Sequence, residues 1–183
     1  MDKELIALMF EELSETLSLV SEEDIVYLIS EIDKAKRIFM AGAGRAGLMT
    51  KAFGMRLMHL GYAVNIIGET TTTSTTNEDL FIIVSGSGET ISSIEWAKKA
   101  KSIGAKVIMI STNMLNTLAQ IADKVIVLKA PTKREDLVVR SVQPMGNRFE
   151  QSVLLFGDMM VMKIMDIHDI TMSEMRKRHT NIE

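Results

Sequence analysis

Five short apolar runs recur along the chain, and a helical or polar segment separates each run from the next. The runs are Arg37–Ala41, Ala63–Ile67, Leu80–Val84, Lys106–Ile110 and Lys124–Leu128. Short strands that are apolar without alternation belong to a parallel sheet that is covered on both faces. The sequence therefore predicts an α/β fold built on a five-stranded parallel sheet.

The rest of the chain divides into three parts around this sheet, which we interpret as a single domain over residues 1–183. Two amphipathic helices before the first strand form an N-terminal helical arm. The βα core follows it, and a long helix, a short basic helix and a tail complete the chain. The three parts span residues 1–35, 36–130 and 131–183.

Apolar periodicity and terminating glycines predict five helices after the first strand. The first two end near His59 and Ser102, and the others cover Leu115–Ile121, about Asn147 to Met165, and Met172–Arg178. The helix from Asn147 is apolar on more than one face, and such a helix must be buried on several sides. We predict that it packs between the sheet and another subunit.

A polar loop, Ser85-Gly86-Ser87-Gly88-Glu89-Thr90, lies between the third run and the helix after it. Its glycines let the backbone approach a ligand closely, and Ser85, Ser87 and Thr90 add hydroxyl donors. A helix N-terminus also carries unpaired N–H groups and a partial positive charge, so it attracts anions. The loop is therefore a candidate phosphate site, although the same residues also suit an ordinary turn with helix-capping hydroxyls.

A second glycine loop follows the first run. Gly42, Gly44 and Gly47 fit the G-x-G-x-x-G fingerprint of dinucleotide-binding proteins, and Glu69 lies at about the distance expected for an acid that binds ribose. The inserted Arg45, the second anion-binding loop and the lack of room for a catalytic domain favour one sugar phosphate over a dinucleotide. Both loops follow strands, and ligands bind at the carboxyl ends of parallel strands.

The composition argues against several function classes. The absence of cysteine excludes disulfides and thiolate chemistry and suits a cytoplasmic protein. A net charge of −3 argues against nucleic acid as the main partner. No apolar run approaches the roughly 20 residues that span a membrane. Three widely spaced histidines predict no metal site.

Several motifs together resemble the sugar isomerase (SIS) domain family and, within it, the 6-phospho-3-hexuloisomerases. The serine loop alone resembles the wider family. The more specific motifs are Gly42–Arg45, Met55–Gly61, Gly68-Glu69, Gln143–Gly146, Phe149–Gln151 and the terminal Arg178–Glu183. The resemblance covers essentially the whole chain and implies a flavodoxin-like, three-layer αβα fold.

The resemblance implies an isomerase that interconverts D-arabino-3-hexulose 6-phosphate and D-fructose 6-phosphate through an enediolate, in the ribulose monophosphate pathway of formaldehyde fixation. It implies no cofactor, a homo-oligomer (a tetramer) with shared active sites, and 3-hexulose-6-phosphate synthase as a functional partner. Two alternatives remain at this point. One is a non-catalytic module that binds a sugar phosphate, and the other is a dinucleotide-binding protein.

Carried over onto this sequence, the resemblance makes Glu150 the base that forms the enediolate. His59 and His179 compete for opening the sugar ring or shuttling a proton. Glu150 and His59 also suit simple helix-end electrostatics, and the last five residues would ordinarily be frayed. The residues expected to bind phosphate or substrate are Gly44, Arg45, Ser85, Gly86, Ser87, Gly88, Thr90, Glu69 and Thr71. Thr71 belongs to the threonine-rich segment 70–76, which is either a lip over the site or an extended connector.

Four positions depart from the family pattern. Ala46 stands where many members have serine, which removes one possible phosphate contact, and Thr73 replaces a common proline. Asn147-Arg148 replaces a common Ser-Leu, and Arg148 lies close in sequence to Glu150. We expect Arg148 either to stabilise the Glu150 carboxylate or to point into solvent.

Overall fold

The structure, a computed structural model, describes residues 2–132 and 140–182. Within these ranges five parallel strands form one sheet in the order β2-β1-β3-β4-β5. The strands are β1 (Ile38–Gly42), β2 (Val64–Ile66), β3 (Leu80–Val84), β4 (Lys106–Ser111) and β5 (Lys124–Val127). The predicted parallel α/β sheet is confirmed. Its strand order reverses between β1 and β3, and such a reversal opens a crevice outside the carboxyl ends of these two strands.

Six helices surround the sheet in the described ranges. They are α1 (Lys3–Ser18), α2 (Glu22–Lys34), α3 (Gly44–Leu60), α4 (Ile91–Ile103), α5 (Asn147–Ile167) and α6 (Met172–Arg178). As predicted, Gly61 and Gly104 end α3 and α4, each with a left-handed φ, of 108° and 88°. None of the helices described is both long and apolar enough to cross a membrane.

The apolar core lies in two layers, one on each face of the sheet. On one face, α2, α3 and α5 bury side chains such as Leu28, Leu57 and Phe156 against the sheet. On the other face, α4 and the β4–β5 connection cover Phe39 and Phe81, whose rings stack with centroids 5.1 Å apart. The fold therefore has the three αβα layers that the sequence predicts.

The short helix predicted over Leu115–Ile121 is wrong, because this segment forms hydrogen-bonded turns. The Asn113 side chain accepts a hydrogen bond from the Leu115 amide, and Asn116 accepts one from the Ala119 amide. Asparagine side chains that bond nearby amides compete with helical hydrogen bonds. Leu115 itself is 96% exposed, so this apolar residue does not belong to the buried face of a helix.

Helix α5 is buried on several sides, as predicted, and its own chain supplies much of the covering. It packs against α3, α1 and α2. Leu155 and Met162 on its outer side remain exposed, and Met162 is 68% accessible. The predicted contact of α5 with another subunit stays a prediction.

Candidate active site

A cleft of about 180 Å³ opens at the carboxyl ends of β1 and β3. The β1–α3 loop, the serine loop, residues 131–132 and the start of α5 line it. Its lining includes Ala46, Ser85, Ser87, Thr90, Phe149 and Glu150. The structure thus brings the serine loop and Glu150, which are far apart in sequence, into one site.

Three helix N-termini meet at this cleft, and none of them is capped by a side chain. The N-cap residues of α3, α4 and α5 are Ala43, Thr90 and Gly146. None of their side chains accepts a hydrogen bond from a backbone N–H of its own helix. In contrast, side chains of Asp2, Ser21 and Thr171 cap α1, α2 and α6. The unpaired N–H groups and positive ends of three helices make the cleft a favourable place for an anion.

The hydroxyl groups of the serine loop shape the loop rather than cap α4. Ser85 Oγ accepts a hydrogen bond from the Gly88 amide at 3.2 Å, and Ser87 Oγ accepts one from the Glu89 amide at 3.3 Å. Thr90 Oγ1 lies 3.4 Å from Ser85 Oγ and makes no capping bond. A hydroxyl that accepts such a bond still has its own proton to donate to a ligand.

The β4–β5 connection holds the serine loop from behind. Thr112 Oγ1 donates to the Gly86 carbonyl at 2.8 Å, and the amide and hydroxyl of Thr117 donate to the Glu89 carboxylate at 2.8 Å each. Gly88 adopts a φ of +65°, and a Cβ there would lie 2.0 Å from Asn116 Oδ1. These supporting residues were not predicted, although the polar run that follows β4, at the same sheet edge, was a signal for them.

An ion pair between Glu150 and Arg45 lies at the edge of the cleft. Glu150 is only 5% exposed, and Arg45 Nη1 donates to its Oε2 at 2.9 Å. The same Arg45 nitrogen donates to Asn147 Oδ1. Glu150 lies in the first turn of α5, so the guanidinium and the helix end both stabilise its negative charge. The pair places a buried carboxylate in a cleft that suits an anion.

Arg148 takes neither of the two positions expected for it. Its side chain is 3% exposed and lies against α1, where Nε donates to Thr16 Oγ1 and Nη2 pairs with Glu15, each at 2.8 Å. It therefore contacts neither the Glu150 carboxylate nor bulk solvent. Because it follows Asn147 directly, Arg148 anchors the first turn of α5 to the N-terminal arm.

The two candidate histidines lie together, but at the opposite end of α3 from Arg45. Helix geometry of 1.5 Å per residue puts His59 about 21 Å from Arg45 along the helix axis. The rings of His59 and His179 stack with centroids 5.1 Å apart, and Arg178 donates to the His59 carbonyl at 3.2 Å. Burial, the Arg56 charge and His179 all lower the pKa of His59. Within one chain, neither histidine reaches the cleft.

Glu69 and Thr71, which were expected to bind substrate, lie outside the cleft lining, and two glycines of the dinucleotide fingerprint serve packing. Glu69 pairs with Lys51 at 2.5 Å outside the cleft lining, and the neighbouring Thr71 is exposed. A Cβ on Gly47 would lie 2.5 Å from the Gly42 carbonyl, so close packing of α3 on β1 accounts for these two glycines. Among the residues that the structure describes, no three histidine or carboxylate side chains form a group that could hold a metal ion.

Comparison with known proteins gives a consistent result. Residues 31–154 match the model of the SIS domain family. A 3-hexulose-6-phosphate isomerase from Bacillus subtilis is 39% identical over 98% of this chain and 98% of its own. A protein of the same name from Mycobacterium gastri is 34% identical over 97% of this chain and 89% of its own.

A solved structure is also similar over almost the whole chain. It is a hypothetical protein from Methanococcus jannaschii, for which a molecular function of 3-hexulose-6-phosphate isomerase was inferred. It superposes with a TM-score of 0.83 at 36% identity and covers 98% of both chains. The similarity therefore includes the helical arm and the C-terminal helices as well as the sheet.

Proposed function

The chain belongs to the SIS domain family, and we propose that it is an isomerase that interconverts D-arabino-3-hexulose 6-phosphate and D-fructose 6-phosphate. The observation that carries this proposal is the buried Glu150 carboxylate, paired with the more exposed Arg45, in a cleft where three helix N-termini meet. Such a cleft suits a phosphorylated ligand, and the carboxylate suits a base. The relatives named 3-hexulose-6-phosphate isomerase support the choice of substrate.

Glu150 is the base in this reaction, which moves a carbonyl group between C3 and C2. Starting from the 3-ketose, Glu150 takes the C2 proton, and the C–H electrons form the C2=C3 bond of an enediolate. A proton then moves from O2 to O3, the electrons left on O2 form the C2 carbonyl, and the C2=C3 electrons take the proton back from Glu150 at C3. Starting from fructose 6-phosphate, the same carboxylate takes the C3 proton. Glu150 carries the proton between the two adjacent carbons, and a second proton moves between O2 and O3.

The serine loop binds the phosphate and so positions the reacting carbons. The hydroxyls of Ser87 and Thr90 and the first amides of α4 supply the donors. A fixed phosphate on C6 holds C2 and C3 at a defined distance through the carbon chain, which raises the effective concentration of the base. Arg45 and the ends of α3 and α5 stabilise the charge of the enediolate.

We also propose that two chains share each active site. An exposed apolar face runs along α3 from its Arg45 end to its His59 end. It includes Leu48, Met55 and Met58. Exposed apolar patches of this kind mark contact surfaces. A two-fold contact with α3 antiparallel to its copy brings the histidine end of one helix to the Arg45 end of the other. In this arrangement the histidines of one chain lie near the cleft of the other, whereas within one chain His59 is about 21 Å from Arg45 along α3.

The remaining partners and the location follow from the same proposal. A homotetramer contains two such two-fold pairs. The functional partner is 3-hexulose-6-phosphate synthase, which makes or consumes the 3-ketose. The cytoplasmic location stays a prediction from the composition.

A coupled assay tests the proposed function. The chain is incubated with fructose 6-phosphate and 3-hexulose-6-phosphate synthase, without nicotinamide, and released formaldehyde is measured. We expect formaldehyde only when both proteins are present, and little when Glu150→Gln replaces the wild type. Saturable binding of fructose 6-phosphate without formaldehyde would instead indicate a non-catalytic sugar-phosphate module.

A further inference from the structure

The first turn of α5 is held on the side opposite to the cleft. Arg148 and Glu150 are two residues apart, and an α-helix turns by about 100° per residue, so their side chains leave α5 in nearly opposite directions. Glu150 faces Arg45 and the cleft, whereas Arg148 lies against α1. A contact that fixes the Arg148 side chain therefore also fixes the rotation of this turn, and with it the position of the Glu150 carboxylate.

The Arg148 side chain meets a hydroxyl that is itself held in place. Thr16 is fully buried, and its Oγ1 accepts a hydrogen bond from Arg148 Nε at 2.8 Å. The same oxygen lies 3.1 Å from the carbonyl of Glu12 and 3.1 Å from that of Lys129. Lys129 follows β5 and lies two residues before Pro131, which lines the cleft. Thr16 therefore joins α1 both to the chain that leaves β5 and to the start of α5, and both of these reach the cleft.

Glu12, one turn earlier on α1, holds the segment that precedes α5. Its carboxylate accepts three hydrogen bonds, from Ser141 Oγ and the Val142 amide at 2.7 Å each and from Gln143 Nε2 at 3.1 Å. Burial raises the pKa of Glu12, but these bonds and the Arg148 charge outweigh it and leave the pKa below its ordinary value. Glu12 is therefore ionised at neutral pH, and an ionised carboxylate has lone pairs for all three donors.

The segment that Glu12 holds ends in a strained residue. Met145 has a φ of +61°, in the left-handed region that residues other than glycine rarely adopt. Such a conformation persists only where the surrounding contacts fix it. The Glu12 bonds fix the residues before Met145, and the Asn147 amide donates to the Pro144 carbonyl at 3.2 Å. Because Gly146, the next residue, is the N-cap of α5, this turn sets where α5 begins.

We propose that α1 positions the Glu150 base, through the bond of Arg148 to Thr16 and the bonds of Glu12 to residues 141–143. This proposal rests on the proposed function of Glu150. Arg148 and Glu12 are positioning residues, since neither of them lines the cleft. Their loss leaves the serine loop in place, so it should affect the proton transfer more than the binding of the phosphate.

Arg148→Met removes the guanidinium and keeps a long side chain in its place. Thr16 retains its carbonyl partners, and the Glu15 side chain is 65% exposed to water, so no buried charge is left unpaired. We expect kcat from fructose 6-phosphate to fall ~10-fold to 100-fold, the effect of a group displaced by about 1 Å, with KM nearly unchanged. Thr16→Val breaks the same contact, so the double variant should lose less than the product of the two single losses.

Lys163→Met is the matched control. Lys163 pairs with Glu22 at 2.8 Å, which is another contact between α5 and the helical arm, about 20 Å from Glu150 along the helix axis. We expect this variant to keep the wild-type kcat. A wild-type kcat in folded Arg148→Met, or an equal loss in Lys163→Met, would overturn the proposal.

Glu12→Gln decides the case in which Arg148→Met does not fold. An amide has one oxygen to accept the three bonds that the Glu12 carboxylate accepts, so this variant should show the same selective loss of kcat. A wild-type kcat in Glu12→Gln would likewise count against positioning by α1.

Amide hydrogen exchange separates this proposal from the proposed function, because it needs no turnover. The Glu150 amide donates to the Gly146 carbonyl at 3.0 Å in the first turn of α5. Arg148→Met should speed the exchange of this amide about tenfold or more, and Lys163→Met should not. If the wild type shows no turnover, the proposed function fails. Unchanged exchange at Glu150 in folded Arg148→Met would instead overturn positioning by α1.

Discussion

At the scale of single residues, Glu150 combines burial, an arginine partner and a helix N-terminus in one carboxylate. Glu150→Gln preserves the shape of this side chain but removes its basicity. We expect turnover to fall ~100-fold or more, as for a lost general base, while fold and substrate binding are retained. Steady-state kinetics and a binding titration with fructose 6-phosphate measure the two effects.

The control for this substitution is Glu95→Gln. Glu95 pairs with Lys98 on the exposed side of α4, so its loss should leave kinetics unchanged. If Glu150→Gln still exchanged the C2 proton of the 3-ketose with solvent at a near-normal rate, another group would be the base.

In the proposed function, the serine-loop hydroxyls bind a phosphate that is present both before and during the reaction. Ser87→Ala and Thr90→Ala should therefore raise KM more than they lower kcat. A hydrogen bond to a charged group contributes about 1.5–3 kcal/mol, so KM should rise roughly tenfold to a hundredfold. Ser102→Ala, at the far end of α4, is the matched control. A wild-type KM in both loop variants would remove the phosphate site from this loop.

Contacts between residues that are far apart in the chain could not be predicted from the sequence. Loop glycines, hydroxyls and Glu150 were identified from local patterns and family resemblance, and the structure brings several of them into one cleft. The bond from Arg45 to Glu150 joins α3 to α5, and the bonds from Arg148 join α5 to α1. No local pattern encodes such long-range partners. For this reason Arg148 was expected near the carboxylate or in solvent.

At the scale of elements, an ion pair joins the beginnings of β1 and β3. Arg37 makes two bonds to Asp79, Nε to Oδ1 at 3.0 Å and Nη2 to Oδ2 at 2.9 Å, and the Thr76 amide also donates to Asp79. Burial raises the pKa of Asp79, but the bonds from Arg37 and Thr76 outweigh it and leave the pKa below its usual value of 3.8. The ionised form therefore stabilises the fold above about pH 4. This stabilisation is lost as the pH falls through the lower, folded-state pKa.

Asp79→Asn should lower the free energy of unfolding by about 1–3 kcal/mol at pH 7. The difference from the wild type should shrink as the pH falls below the ordinary aspartate value of 3.8. Urea unfolding at pH 7 and near pH 3 measures both. Glu78→Gln is the control, since its pair with Lys36 is exposed on both sides and such pairs contribute little. A pH-independent difference would mean that charge is not what Asp79 contributes.

The elements themselves were largely predictable because most of them have strong periodicity. The runs of the five strands and the bounds of α6 agree with the structure to within about two residues. The segment after β4 was the exception, since Asn113 and Asn116 form turns where apolar spacing suggested a helix. Those turns are what holds Gly88 and Glu89 in place, so the local error lay at a functionally important loop.

At the scale of the whole molecule, we propose that the histidines and the Glu150 carboxylate form one active site only when two chains combine. Deletion of residues 179–183 should abolish most activity and leave fold and assembly intact. Mixing this truncated chain with Glu150→Gln subunits should restore part of the activity, because some sites then receive an intact base and an intact tail. Kinetics of the mixture, with each parent alone as control, measure the recovery.

Two results would contradict a shared site that depends on the tail. A fully active truncated chain would show that His179 has no role in the reaction. An inactive truncation whose mixed oligomers also stay inactive would mean that the tail serves its own chain.

Deuterium exchange tests the central claim most directly, because it reports which carbon loses its proton. The full chain is incubated with fructose 6-phosphate in D₂O, without nicotinamide, and deuterium in the recovered sugar is located by NMR. Isomerisation to the 3-ketose predicts deuterium at C3, with Glu150→Gln incorporating far less. Deuterium at C1 would show that the enediolate leads to an aldose instead, and no incorporation at either carbon, together with no 3-ketose formed, would contradict enolisation by this chain.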